Sequence, residues 1–168
     1  MSANPTEHQP NPALHGEEHV VVFRLGDESY ALDIQCVQEI VRMQTITRVP
    51  GAEAWVEGIT NLRGRVVPVI DLRRRCHIVP CAYTAETRIV VVSSPGGMVG
   101  LTVDAVSEVI RIPVGQIEAP GEIAGLPQHA YLRGIAKLED RLISLLDLEG
   151  ILPDAAESPE EQPGVAAA

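Results

Sequence analysis

Apolar positions along this chain come in short β-branched runs rather than in long helical stripes. His19–Leu25 (HVVVFRL) is apolar, Gly26-Asp27-Glu28-Ser29 reads as a turn, and Tyr30–Ile34 resumes a strand pattern. Between Ile34 and Val41 the apolar spacing of 34, 37 and 41 predicts one or two helical turns at most. Gly58–Leu62 and Val66–Leu72 flank Arg63-Gly64-Arg65, a hairpin with glycine where a positive φ is needed. Arg88–Ser93 and Met98–Val103 flank Ser94-Pro95-Gly96-Gly97, a second hairpin, and Leu142–Leu148 is a late apolar strand. Pro68 cannot donate to a ladder, which places its strand at an edge or a barrel seam. The class is mainly β, with short helices at connections.

The pattern repeats. Ala31–Arg42 lies over Gly100–Arg111 at a constant offset of 69, and Gly58–Leu72 lies over Gly134–Leu148 at an offset of 76. The second connection is therefore seven residues longer, in the Pro/Gly-rich 113–127 stretch. Two small all-β units sharing a core fit this length, because units so small bury too little alone. Closed or nearly closed barrels remove exposed strand edges at this size. The expected division is a unit over about 30–85, joined by the N-terminal strand, and a second over 86–152.

The repeat also sorts residues. Asp71 with Asp147, Arg65 with Arg141 and Glu39 with Glu108 occur in both copies, which suits turn capping or an internal ion pair. Asn61 faces Lys137, Arg63 faces Glu139 and Gly64 faces Asp140, so the turn Asn61-Leu62-Arg63-Gly64 is individual to the first copy.

Charge alters the picture once it is located. The chain of 168 residues carries −10, but residues 1–18 and 153–168 hold seven acids and no Lys or Arg. Removing those seven from the 23 acids leaves 16 against 13 basic residues, a net of −3 for 19–152. Both tails are Pro-rich and apolar-poor, and are expected to be disordered. A near-neutral body argues against nucleic-acid binding. The N-terminus lacks the basic and apolar regions of a secretory signal, and no apolar run is long enough for a transmembrane helix.

Candidate chemistry is sparse. There is no nucleophile elbow, and no phosphate loop. Gly96-Gly97-Met98-Val99-Gly100 joins two strands, whereas a dinucleotide loop must open a helix. Cys76, His77 and Cys81 form the one cluster that suggests metal or hydrolytic chemistry, and a small enzyme using them is the alternative reading. A tetrahedral site needs a fourth ligand that no second cluster supplies, so no metal and no cofactor are expected. Arg73-Arg74-Arg75, with Arg63 and Arg65 nearby, is the basic cluster: a solvated strand end, or a patch for an acidic partner.

Gly58-Ile-Thr-Asn-Leu-Arg-Gly-Arg-Val-Val-Pro-Val-Ile-Asp-Leu-Arg73 resembles the signature of the CheW family of bacterial chemotaxis coupling proteins. Phe23–Ile34, Val37–Val41 and Val99–Val109 resemble the same family's first strands and second half, so the resemblance spans about residues 19–152. It implies two five-stranded SH3-like β barrels and no catalytic activity. It implies a cytoplasmic scaffold, recruited to membrane-associated receptor arrays without entering the membrane. Its partners would be the cytoplasmic tip of a methyl-accepting chemoreceptor and the regulatory domain of a CheA-type histidine kinase. Carried over by motif, Val37, Glu39, Asn61, Arg63 and Gly64 would line or shape a receptor groove between the barrels. Kinase docking would use apolar barrel surfaces that the motif does not locate. The long second connection, the Cys-His…Cys segment and the tails are not parts of the signature.

Overall fold

A computed structural model describes residues 16–123 and 131–152. The expected tails therefore lie outside the described residues, save Gly16, Glu17 and Glu18. Strand β1 begins at Glu17, and Glu18 already pairs with Ile112, so these two residues belong to a sheet rather than to the expected N-terminal tail.

The described strands in chain order are β1 (Glu17–Leu25), β2 (Glu28–Asp33), β3 (Val37–Arg42), β4 (Val56–Leu62), β5 (Arg65–Asp71), β6 (Arg88–Ser94), β7 (Gly97–Val103), β8 (Ala105–Pro113), β9 (Ile117–Glu118), β10 (Leu132–Leu138) and β11 (Arg141–Leu146). Single-turn helices α1 (Leu72–Arg75) and α2 (Leu148–Ile151) follow β5 and β11. Two curled sheets result. One has the order β8-β1-β2-β11-β10-β9 and the other β3-β6-β7-β5-β4. The molecule is mainly β, with two small SH3-like barrel units, as the repeat and the resemblance together implied, although the first sheet has six strands rather than the expected five because the short β9 adds to β10.

The sheets do not divide the chain near residue 85. β1 and β2 join β8–β11, while β3–β7 form the other sheet. Each repeat thus starts in one barrel and finishes in the other. The exchange runs through two parallel ladders, β5 with β7 (Val69↔Gly100) and β11 with β2 (Leu145↔Ala31). Offsets of 69 and 76 turn one ladder into the other, so the barrels are related by a pseudo-two-fold axis.

Exchange explains the continuous apolar runs of β1 and β6, which are buried on both faces. Val20 and Val22 point into the six-stranded barrel, while Phe23 and Leu25 point into the junction. Ile89 and Val91 fill the five-stranded barrel, while Val90 and Val92 meet the junction. The junction cluster holds twelve buried residues, against seven and four in the barrels' private cores. At about 1.5–3 kcal/mol per buried large aliphatic side chain, the junction contributes more apolar stabilisation than either barrel's private core. Neither is expected to stand alone.

Closure repeats too. Beyond β3, Thr47 exchanges both backbone hydrogen bonds with Ile59 at 2.8 Å, covering the free edge of β4. Beyond β8, β9 does the same for β10. Gly58 permits the first approach, for its φ is +150° and an added Cβ would lie 2.1 Å from the Thr47 carbonyl oxygen.

Two local expectations need correction. Residues 34–41 form only a 3-10 turn, Ile34–Cys36, before β3 starts at Val37. A bulge at Gln38 breaks the two-residue alternation and leaves apolar spacing that mimics a helix. β5 is not an edge strand, because it lies between β7 and β4. Its ladder to β7 begins only at Val69, so Pro68 sits just before the place where an amide donor is required. The seam half of that expectation does not hold either, because the sheet ends at β3 and at β4, and β5 is internal to it.

Candidate functional site

β4 and β5 meet in a two-residue turn, Arg63-Gly64, with φ of 54° and 84°. Two consecutive positive φ values match the right-handed twist of a hairpin, and glycine accepts the second without strain. Asn61 fixes the turn, its Oδ1 accepting from the Gly64 amide at 2.8 Å. Arg63 is held in a conformation that L residues rarely adopt, and its side chain leaves the tip towards β3. There its two terminal nitrogens meet the Glu39 carboxylate, at 3.0 Å to Oε1 and 3.4 Å to Oε2. The pair joins the hairpin tip to the first strand of the sheet across the barrel's seam.

Glu39, Asn61, Arg63 and Gly64 therefore converge on one hairpin tip. Val37 lies on the same strand as Glu39 but packs, half-buried, against the junction cluster. It shapes the junction end of β3.

The other barrel carries a matching pair. Arg141, at the start of β11, ion-pairs with Glu108 of β8. Glu108 is the repeat equivalent of Glu39, as the internal ion-pair reading requires, but Arg141 is the equivalent of Arg65. The first barrel uses Arg63 instead. The difference shows in exposure: the Arg63 side chain is 80% accessible and that of Arg141 44%. Asp71 and Asp147 are helix N-caps, accepting from Arg73 N at 3.1 Å and Glu149 N at 3.2 Å.

The arginine run is neither a solvated end nor a free basic patch. On the single turn of α1 its members diverge to three different partners. Arg73 forms a two-pronged ion pair with Asp104, which also accepts from the Gly26 amide at 2.6 Å. Burial alone would raise the Asp104 carboxyl, but the bonds from Arg73 and Gly26 outweigh it and hold the group below its ordinary range. Arg74 pairs with Asp71 at 3.3 Å. Arg75 lies between Trp55 and Tyr131. Sequence reading missed these roles because adjacency in sequence says nothing about direction around a helical turn.

Cys76, His77 and Cys81 do not form a site. Cys76 packs against the junction cluster, and burial pushes its thiol up to about 11. It is protonated at neutral pH and thus a poor nucleophile and ligand. His77 lies beside the Tyr131 ring, with centroids 6.4 Å apart, and Cys81 is exposed. Among the described residues no group of three or more His, Cys, Asp or Glu side chains converges to hold a metal ion. No helix among them is long and apolar enough to cross a membrane.

Exposed apolar side chains supply a further feature. Ile40 and Val66 on one barrel correspond by the repeat offsets to Val109 and Leu142 on the other, and all four are exposed. Isolated exposed aliphatics are ordinary, but recurrence at equivalent positions marks a face common to both barrels. The repeat alignment could have found them, since each pair is apolar in both copies.

Comparison with known proteins agrees with this architecture. The family model of the CheW-like domain matches residues 19–156. The chain is 36% identical over 135 residues to the chemotaxis protein CheW of Klebsiella aerogenes, covering 80% of this chain and 81% of that protein. It is likewise 36% identical over 135 residues to the chemotaxis protein CheW of Bacillus subtilis, covering 80% and 86%. It is 28% identical over 141 residues to the protein FrzA of Myxococcus xanthus, covering 83% and 88%. The crystal structure of the scaffolding protein TtCheW from Thermoanaerobacter tengcongensis matches with a TM-score of 0.75 and 38% identity, covering 83% of this chain and 95% of that one.

Proposed function

Because the chain belongs to the CheW-like domain family, and is thereby a non-enzymatic scaffold of chemotaxis signalling, we propose that it couples the cytoplasmic tip of a methyl-accepting chemoreceptor to the regulatory domain of a CheA-type histidine kinase. The observation that carries this reading is the β4–β5 tip. Its sequence matches the family motif, its two central residues have positive φ, and Asn61 and Glu39 fix it from two sides. The second barrel spans its seam with an arginine on the strand, so the fold makes no demand for a guanidinium on the turn itself. Arg63 remains largely exposed while its position is set by Glu39. That combination suits a partner-facing fork able to bond a carboxylate or backbone carbonyl of a helical hairpin.

In this reading Glu39, Asn61, Arg63 and Gly64 form the receptor contact, with Val37 setting the wall of the groove where β3 leaves the junction. The exposed apolar residues Ile40 with Val66, or Val109 with Leu142, are the surface offered to the kinase. Recruitment to receptor arrays follows from these contacts and needs no membrane insertion by the chain. No cofactor takes part.

The test is reconstitution with purified components. The full chain should comigrate in size-exclusion chromatography with a soluble receptor-tip hairpin, with a CheA-type kinase, and with both together. Failure to bind either component would refute the coupling role.

A further inference from the structure

Trp55 and Tyr131 are equivalent residues of the two repeats. Each accepts at its carbonyl from a capping aspartate, Asp71 N–H to Trp55 at 2.9 Å and Asp147 N–H to Tyr131 at 2.7 Å. Across the barrel junction their rings flank a single guanidinium. The Arg75 Cζ lies 4.6 Å from the Trp55 ring centroid and 4.9 Å from that of Tyr131. Arg75 donates from Nε to the Ile151 carbonyl at 2.6 Å, and from its terminal nitrogens to the Tyr131 hydroxyl at 2.9 Å and the Gly150 carbonyl at 3.4 Å. Arg75 ends α1 behind β5 of the five-stranded barrel, whereas its hydrogen-bond acceptors stand beside β10 and β11 of the six-stranded one. Its own equivalent is Ile151, which is fully buried in the junction core. One arginine therefore serves the pseudo-two-fold axis, and an aliphatic residue takes the matching position.

We infer that Arg75 is an internal ligand, filling a two-ring aromatic cage built across the junction, and that it sets the angle at which the two barrels meet. Apolar burial holds the barrels together, but burial is non-directional and tolerates small rotations. A planar fork placed between two ring faces and bonded to three oxygens fixes an orientation. Both barrels contribute one ring, so neither can turn without opening a contact. This role is separate from the partner contacts proposed above and stands or falls without them.

Trp55 is the chain's one tryptophan and reports on the cage without labelling. In Arg75→Ala, quenching of Trp55 by acrylamide should rise about twofold as the ring loses its cationic cover. Residual dipolar couplings from the two sheets should be fitted by one alignment tensor in the unaltered chain and should require two in the variant. Millimolar methylguanidinium, far below denaturing levels, should restore both readouts, and methylammonium should not. Arg75→Lys keeps the charge without the fork, so it should melt cooperatively and still require two tensors; it decides the matter if the alanine variant does not fold. The inference is overturned if one tensor continues to fit both sheets in either variant. It is also overturned if methylguanidinium fails to restore a folded alanine variant, or if methylammonium restores it equally.

Discussion

The β4–β5 and β10–β11 hairpins occupy equivalent places in two barrels, yet their tips carry nearly opposite chemistry. Asn61, Arg63 and Gly64 stand where the second copy has Lys137, Glu139 and Asp140. Arg63 and Glu139 both adopt positive φ, at 54° and 37°, so backbone strain belongs to the shared turn. Both seams are also spanned by an arginine–glutamate pair, so the ion pair belongs to the shared barrel as well. What differs is where the guanidinium is mounted. In the second barrel it rises from strand β11, and in the first from the turn, where it is 80% accessible. Comparing the two separates what closes a barrel from what is left over for a partner.

The largest difference between the barrels should appear at their closure glycines. An added Cβ at Gly58 would meet the Thr47 carbonyl oxygen at 2.1 Å, and φ is +150°. At Gly134 the first obstacle is the Ile117 Cγ2 at 2.8 Å, a side-chain atom that can yield. Gly58→Ala should therefore cost about 3 kcal/mol or more by urea denaturation, and Gly134→Ala roughly half as much. Equal costs would show that the second closure is as rigid as the first.

Next comes the Arg73–Asp104 pair, which exists on one side of the pseudo-axis only, since the equivalents are Glu149 and Gln35. Asp104→Asn should cost about 2 kcal/mol, because it leaves a largely covered guanidinium without its charge partner. The folded Asp104 carboxyl titrates below its unfolded value. Its contribution is thus fully present above the unfolded value, about 3.9, and is lost as pH falls through the lower, folded one. Asp104→Asn should flatten that part of the acid-unfolding profile. An unchanged profile would mean that other carboxylates govern acid stability.

A smaller effect, of opposite sign, is expected at Glu57, whose equivalent is Arg133. Arg133 has an ion partner in Glu18 at 2.6 Å, while Glu57 has a hydrogen bond from Thr102 at 3.1 Å. Burial, then the nearby Asp71, raise the Glu57 carboxyl, and the Thr102 bond does not offset them. A raised carboxyl costs stability once pH exceeds the unfolded value, and costs nothing below it. Glu57→Gln should therefore raise the melting temperature slightly at pH 7, by less than ~1 kcal/mol in stability, and the gain should vanish near pH 4. Destabilisation at pH 7 would show that ionised Glu57 has a favourable partner.

Much of this architecture was legible in the sequence. The two offsets identified the capping aspartates and the paired glutamates as equivalent, but they matched Arg141 with Arg65, whereas the first barrel spans its seam with Arg63. They did not reveal which strands pair, because a repeat aligns positions while the parallel ladders of β5 with β7 and β11 with β2 join residues from opposite copies. The exchanged division of the chain was hidden for that reason. Of the one or two helical turns expected in 34–41, one forms as the 3-10 turn Ile34–Cys36, and a bulge in β3 shifts the apolar period over the rest. At the site, glycine and asparagine betrayed the turn through their backbone preferences, whereas the Glu39 partnership depends on β3 and the hairpin meeting across a seam 24 residues apart in sequence.

In the proposed coupling role Arg63 is surplus to folding and faces the partner, whereas Arg141 does not. Arg63→Glu and Arg141→Glu change net charge equally, and each breaks one exposed seam pair. Each should alter stability by less than ~1 kcal/mol. The decisive measurement is the affinity of both variants for a soluble receptor-tip hairpin, by isothermal titration calorimetry. The predicted result is a loss of about 2 kcal/mol, roughly thirtyfold, for Arg63→Glu and near-native binding for Arg141→Glu. Equal losses would contradict the account, for they would make binding a matter of overall charge and leave the β4–β5 tip with no special part in it.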